Sequence, residues 1–226
     1  MIGVFDSGEG GRLAVEKIRE LSKKTDIAFI ADTKNAPYGT KTREEIISYA
    51  KINIQRLKAI GAKKILIACC TASTVYPFLS KEEREISIPI IDFTAREAVR
   101  QTKNARLGVI ATYATVRSGA FRESILKYMP TASVTEIEAQ ELVGIIESGA
   151  ADNNVDTYCK ARLKKILESA KNGDFDTLIL GCTHFPRLEK TISQITGKKT
   201  VSSALVGAME ILKHCNQNEN GRLLLL

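Results

Sequence analysis

Lys64-Ile-Leu-Ile-Ala-Cys-Cys-Thr-Ala-Ser73 and Thr177-Leu-Ile-Leu-Gly-Cys-Thr-His-Phe-Pro186 share one pattern. In each, a short apolar run ends on a small residue, a cysteine follows, and a threonine stands close behind. Such a run reads as a strand buried on both faces, and ligands of open α/β sheets bind beyond the carboxyl ends of these strands. Cys69 and Cys182 are thus two thiols delivered to strand ends. A free cysteine after a strand is most often a small buried hydrophobe. Its repetition beside a turn and a helix start, where a thiol pKa is lowered, favours chemistry. Two thiols facing one cleft can handle a proton from two sides.

Outward from these anchors, strands and helices alternate. Met1 to Phe5 predicts a strand entering the Gly-rich turn Asp6-Ser-Gly-Glu-Gly-Gly11, and Leu13 to Leu21 has helical periodicity. Backbone N–H groups and a positive dipole end are presented to an anion there. Asp26 to Ala31 predicts a second strand and Asp32 to Gly39 a turn. Thr42 to Ile60 reads as a helix, opened by a Thr42/Glu45 capping box and closed by Gly61. Lys64 to Ala68 is the third strand, a helix runs from Thr71 to Pro77, and Ile88 to Ile91 is a fourth strand.

The pattern then restarts, with strands at Arg106 to Ile110, Ala132 to Ile137 and Thr177 to Leu180. Helices are expected at Thr94 to Lys103, Ser118 to Tyr128, Glu141 to Gly149 and Val155 to Asn172. Beyond Pro186 come a helix at Leu188 to Ile195, a short Thr200-Val201 strand and a helix at Ala204 to Cys215, with a frayed or loosely docked tail from Asn216. This alternation predicts an α/β fold of two domains with mainly parallel sheets flanked by helices. The expected division is 1–92 plus a returning 201–226, against 93–200.

An apolar content of 44% with 26% charged residues suits a globular chain of 226 residues able to bury a core. Five cysteines are an odd count, no signal-peptide pattern opens the chain, and no apolar run reaches a membrane span, so the expected home is a reducing cytoplasm without membrane attachment. The net charge of +7 comes from 33 basic residues scattered among 26 acidic ones, which reads as solvated helix faces rather than a nucleic-acid surface.

Gly8, Gly10 and Gly11 miss the G-x-G-x-x-G spacing because Leu13 holds the last position, and Gly197-Lys-Lys-Thr200 is not a P-loop. There is no C-x-x-C, and with only His184 and His214 available a metal site would need distant parts. Cys159 and Cys215 fall inside expected helices and read as core packing. His184 is either a structural histidine or a group that tunes Cys182.

Asp6-Ser-Gly-x-Gly-Gly11, Asp32 with Pro37-Tyr-Gly39, Ala68-Cys-x-Thr-Ala-Ser73 and Gly181-Cys-Thr-His-Phe-Pro186 together resemble the signature segments of the glutamate racemases, in the cofactor-independent aspartate/glutamate racemase superfamily. The resemblance spans nearly the whole chain. It implies two pseudo-symmetric α/β domains with the active site in the cleft between them, and L/D-glutamate interconversion that supplies D-glutamate for peptidoglycan. Cys69 and Cys182 match the two catalytic thiols. Asp6-Ser7, Tyr38-Gly39, Cys70-Thr71 and Thr183-His184 match the substrate-binding pairs. Asp32, His184 and, through Leu142-Val-Gly-Ile-Ile-Glu147, Glu147 match groups that assist the thiols, while Asp6 either binds the ammonium or adjusts a thiol. The implied partner is small-molecule glutamate, with no cofactor or metal, and a homodimer is the assembly to test.

Several positions depart from the family pattern. Cys70 replaces an asparagine, Gln140-Glu141 stands where Cys-Pro is usual, Ser202-Ser203 replaces an Asp-led pair, and Arg12 replaces an apolar residue. Two other readings therefore stand beside glutamate racemisation: a racemase for aspartate or another carboxylic acid, and a binding or regulatory paralogue. Cys70 itself either faces substrate or turns into the core.

Overall fold

The computed structural model describes residues 1–147, 157–215 and 220–226, and of 157–163 only the backbone. Two wholly parallel sheets organise it. The first holds β1 (Ile2–Asp6), β2 (Ile27–Ala31), β3 (Ile65–Ile67), β4 (Ser87–Pro89) and the last strand of the chain, in the order β4-β3-β1-β2-β9. The second holds β5 (Arg106–Ala111), β6 (Ser133–Glu138), β7 (Thr177–Gly181) and β8 (Lys199–Ser202), in the order β6-β5-β7-β8. That last strand, β9, is Leu223–Leu225 and pairs with β2.

Side chains alternate along a strand, so apolar runs without polar breaks must bury both faces. They do. Ile2, Val4, Ile27, Phe29 and Leu66 enter one apolar cluster, while Phe5, Ala28, Ile30, Ile65 and Ile67 enter another on the opposite face. In the second sheet Leu107, Val109 and Ile179 join the first of these clusters, and Ile110, Leu178 and Leu180 form a third. One continuous core therefore reaches across both sheets.

The helices are α1 (Arg12–Leu21), α2 (Arg43–Ala59), α3 (Cys70–Ser73), α4 (Lys81–Ile86), α5 (Ile90–Gln101), α6 (Tyr113–Ser118), α7 (Ala120–Tyr128), α8 (Glu141–Glu147), α9 (Thr157–Asn172), α10 (Glu189–Thr196) and α11 (Ser203–Leu212). On α2 the buried Ile46, Ala50, Ile54 and Leu57 recur at helical spacing and cover one sheet face. Helix α11 packs against α1 and α5. Its Gly207 permits this approach, because a Cβ there would lie 2.8 Å from Ile90 Cδ1.

The capping box on α2 is present: Glu45 N–H donates to Thr42 Oγ1 at 3.2 Å, and Thr42 N–H donates to Glu45 Oε2 at 2.8 Å. Thr42→Ala is expected to cost about 1 kcal/mol, read as a lowered urea midpoint with unchanged slope. At the other end Gly61 takes φ +91°, a conformation costly for other residues.

Some local expectations are corrected. Ile90 and Ile91 open α5 instead of extending β4, because Ile90 N–H donates to Ser73 Oγ at 3.0 Å and Asp92 suits a first helical turn. The helix from Thr71 ends at Ser73 and is followed by a separate 3-10 turn, Tyr76–Phe78, containing Pro77. Gly119, at φ +69°, splits the expected Ser118 to Tyr128 helix and lets α6 precede it. Helix α4, announced by a Ser80/Glu83 capping box, was not anticipated. The tail is not frayed at its end: Ile27 N–H donates to Arg222 O, and Leu226 N–H donates to Phe29 O. Arg222 also pairs with Asp26 at 2.9 Å and holds its carboxyl below the usual range. The parts of the sequence reading that fall on 148–156 and 216–219, and the side chain of Cys159, lie outside the described residues.

Candidate active site

The carboxyl ends of β1 and β3 in one sheet, and of β5 and β7 in the other, meet around a small cavity. Ser7, Tyr38, Gly39, Cys69, Cys70, Thr71, Glu147, Cys182, Thr183 and His184 line it, with free space of about 20 Å³. That is room for one water. Asp6 and Asp32 stand behind this lining and hold it in place. A larger cleft of about 1000 Å³ shares Gly39 with the cavity but is lined by none of the thiols.

Asp6, the last residue of β1, is fully buried and engages both oxygens: Thr183 Oγ1 donates to Oδ1 at 3.1 Å, and Gly8 N–H donates to Oδ2 at 3.1 Å. Burial raises its pKa, opposed by the His184 charge and by these donors. Asp32 anchors the loop after β2. It accepts from Tyr38 Oη at 2.5 Å, from Asn35 Nδ2 at 2.9 Å and from Asn53 Nδ2 at 3.2 Å. Burial, and then the Asp32 carboxylate, push the Tyr38 phenol far above its ordinary value, so it is a neutral donor.

Cys69 caps α3. Ala72 N–H donates to its sulfur at 3.4 Å, and its thiol donates to Ser7 Oγ at 3.3 Å. Burial nevertheless pushes this thiol up to about 11, with Asp6 adding to the rise and the Ser7 and Ala72 contacts opposing it. The lowering expected from a helix start is outweighed, because α3 has only four residues and Cys69 is 4% exposed. Cys182 is raised too, by burial first, against the His184 backbone N–H. His184 Nδ1 lies 3.7 Å from Cys182 Sγ, and Glu147 Oε1 stands 3.1 Å from His184 Nε2. A chain of groups thus runs from the Cys182 thiol to a half-exposed carboxylate.

Cys70 lines the cavity and also belongs to the central apolar cluster, with its thiol against Ser203 of α11. Thr71 turns its hydroxyl away from the cysteines into a closed ring, 2.9 Å from Thr112 Oγ1 and 3.0 Å from Thr115 Oγ1, with 2.9 Å between the latter two. The ring ties α3 to the start of α6. Sequence reading assigned no site role to Thr112, Gln140, Val143 or Asn53. Thr112 was legible as the polar residue after the β5 apolar run, whereas Asn53 sits mid-helix without any local signal. Among the described residues no group of three or more His, Cys, Asp or Glu is placed to hold a metal ion, and no helix is long and apolar enough to cross a membrane.

This arrangement offers two neutral thiols, a carboxylate or imidazole near each, and backbone donors at three strand ends. Comparison with known proteins points the same way. Residues 12–211 match the Asp/Glu/Hydantoin racemase family. A glutamate racemase of Corynebacterium kroppenstedtii is 37% identical over 87% of this chain and 67% of its own length. The crystal structure of glutamate racemase isoform RacE1 from Bacillus anthracis superposes with a TM-score of 0.90 at 31% identity, covering 100% of this chain and 86% of that one. Glutamate racemase from Francisella tularensis, solved in complex with D-glutamate, gives 0.89 at 29% identity, covering 99% and 86%. By the breadth of the match and the shared architecture, this chain belongs to the Asp/Glu/hydantoin racemase family.

Proposed function

We propose that the protein interconverts L- and D-glutamate by proton transfer between Cys69 and Cys182, and that the D-glutamate feeds peptidoglycan. The observation that supports this reading is the convergence of two strand-end thiols on one small cavity. An amino-acid α-proton is far less acidic than a thiol, so its removal needs a positioned base and stabilisation of the developing carbanion. Inversion needs an acid on the opposite face. One thiolate and one thiol supply both and exchange roles after each turnover, a step that asks nothing of an added cofactor. The Ser7 hydroxyl and the backbone N–H groups at the strand ends, that of Thr183 among them, would hold the carboxylates. Glutamate is far larger than one water, so the cavity has to widen to admit it.

Purified protein in deuterium oxide should exchange the glutamate α-hydrogen and racemise it after removal of pyridoxal phosphate and metals. A lack of exchange with glutamate, alongside exchange with aspartate, would favour the second racemase reading. Lack of exchange with every amino acid would leave the binding-protein reading. The buried thiol at about 11 adds a further expectation. Below that pH the thiolate fraction grows tenfold per unit, so kcat/KM should rise with pH through the neutral range. A flat profile from pH 6 to 8 would mean that the thiolate is already formed.

A further inference from the structure

Gln140 lies between β6 and α8, and its Oε1 is buried without a hydrogen-bond partner. Its side chain lines the same cavity as Cys69 and Cys182. It reaches over the loop that carries Tyr38, since a Cβ added to Gly39 would stand 2.0 Å from Oε1. An orphaned carbonyl oxygen at this depth costs about as much as a lost hydrogen bond, and a ligand that brings a donor relieves that cost. At neutral pH the carboxylates of glutamate only accept hydrogen bonds. Its α-ammonium is the one group that donates. Asp6, the other acceptor considered for it, is fully buried behind the lining of the cavity and already accepts from Thr183 and Gly8. Cys70, in place of an asparagine, offers no side-chain carbonyl.

We propose that Gln140 Oε1 accepts a hydrogen bond from the substrate α-ammonium and is a specificity-determining residue of this site. The inference rests on the glutamate reading above. It assigns to Gln140, on the second sheet's side of the cavity, an amide contact that the first sheet's side lacks at Cys70. Held by the ammonium, the Cα–H bond is oriented along the line between the thiols.

The test uses the whole chain and calorimetric binding, so that it does not depend on turnover. Its probes are glutamate and glutarate, which is the same dicarboxylate without the ammonium. Gln140→Met removes the acceptor at nearly constant volume and should weaken glutamate binding by about tenfold to a hundredfold, the range of one hydrogen bond to a charged group. Glutarate affinity should stay within twofold. Gln140→Glu, which keeps an acceptor, should retain glutamate binding. Circular-dichroism melts of both variants would show that the fold is intact. Equal weakening of both probes by Gln140→Met, or no change in either, would overturn the assignment. So would a parental protein that binds glutamate no better than glutarate. Failure of racemisation with the binding pattern intact would count against the proposed reaction and not against Gln140.

Discussion

Cys69→Ser and Cys182→Ser are each expected to lower glutamate racemisation by about a thousandfold or more, within the range that general acid–base groups contribute. The change exchanges one buried proton-transfer atom for a far poorer base while keeping the side chain small. Neither thiol can stand in for the other, because the groups around them differ. Cys69 is held by Ser7 and the Ala72 N–H, whereas Cys182 faces His184 and, through it, Glu147. Each single variant keeps one thiol and so can still exchange the α-hydrogen of one enantiomer with solvent without inverting it. Following deuterium incorporation separately from L- and D-glutamate should show opposite preferences in the two variants. Parental rates in either one would end the two-thiol mechanism.

Alkaline conditions should unfold the protein unusually early. The thiols of Cys69, Cys70 and Cys182 are all raised by burial, so each binds its proton more tightly in the folded chain than in the unfolded one. The stability they supply is complete below the ordinary thiol value of 9.0 and, for Cys69, is lost as pH climbs towards about 11. Each such group lowers stability by about 1.4 kcal/mol per pH unit in that window, and three together by about 4 kcal/mol. A domain of typical stability, about 5–15 kcal/mol, would not survive far into it. Urea titrations at pH 8, 9 and 10 would measure the slope. Cys70→Ala should make it shallower by about a third, whereas equal slopes for the variant and the parent would show that Cys70 ionises as freely folded as unfolded.

Much of this was written locally in the chain. The apolar runs before Cys69 and Cys182 announced strands because no polar residue interrupts them, and Thr42 with Glu45 marked a helix start that the structure keeps. Ile90 and Ile91 misled for a tertiary reason. Their β-branched side chains suit a strand, but the hydroxyl of Ser73, distant in sequence, captures the Ile90 N–H and starts a helix. The four leucines of the tail carry no periodicity and no turn signal, so only the open edge of β2 and the buried Asp26 make a strand of them. At the site the cysteines and their flanking threonines were legible as a repeated pattern. Asn53, the place of Gln140 in the cavity and the closing of Thr71, Thr112 and Thr115 into one ring were not, since these contacts exist only once distant segments are brought together.

The pairing of β9 with β2 also bears on how the molecule is made. A ribosome delivers β1 to β4 early and β9 at the end of this sequence, so β2 waits with an unpaired edge while nearly two hundred residues are added. During that interval Asp26 has no Arg222 to meet it, and the exposed backbone of β2 is open to strands of other nascent chains. Completion of the sheet is therefore timed by translation, and a product stalled before β9 would leave that edge of β2 unpaired.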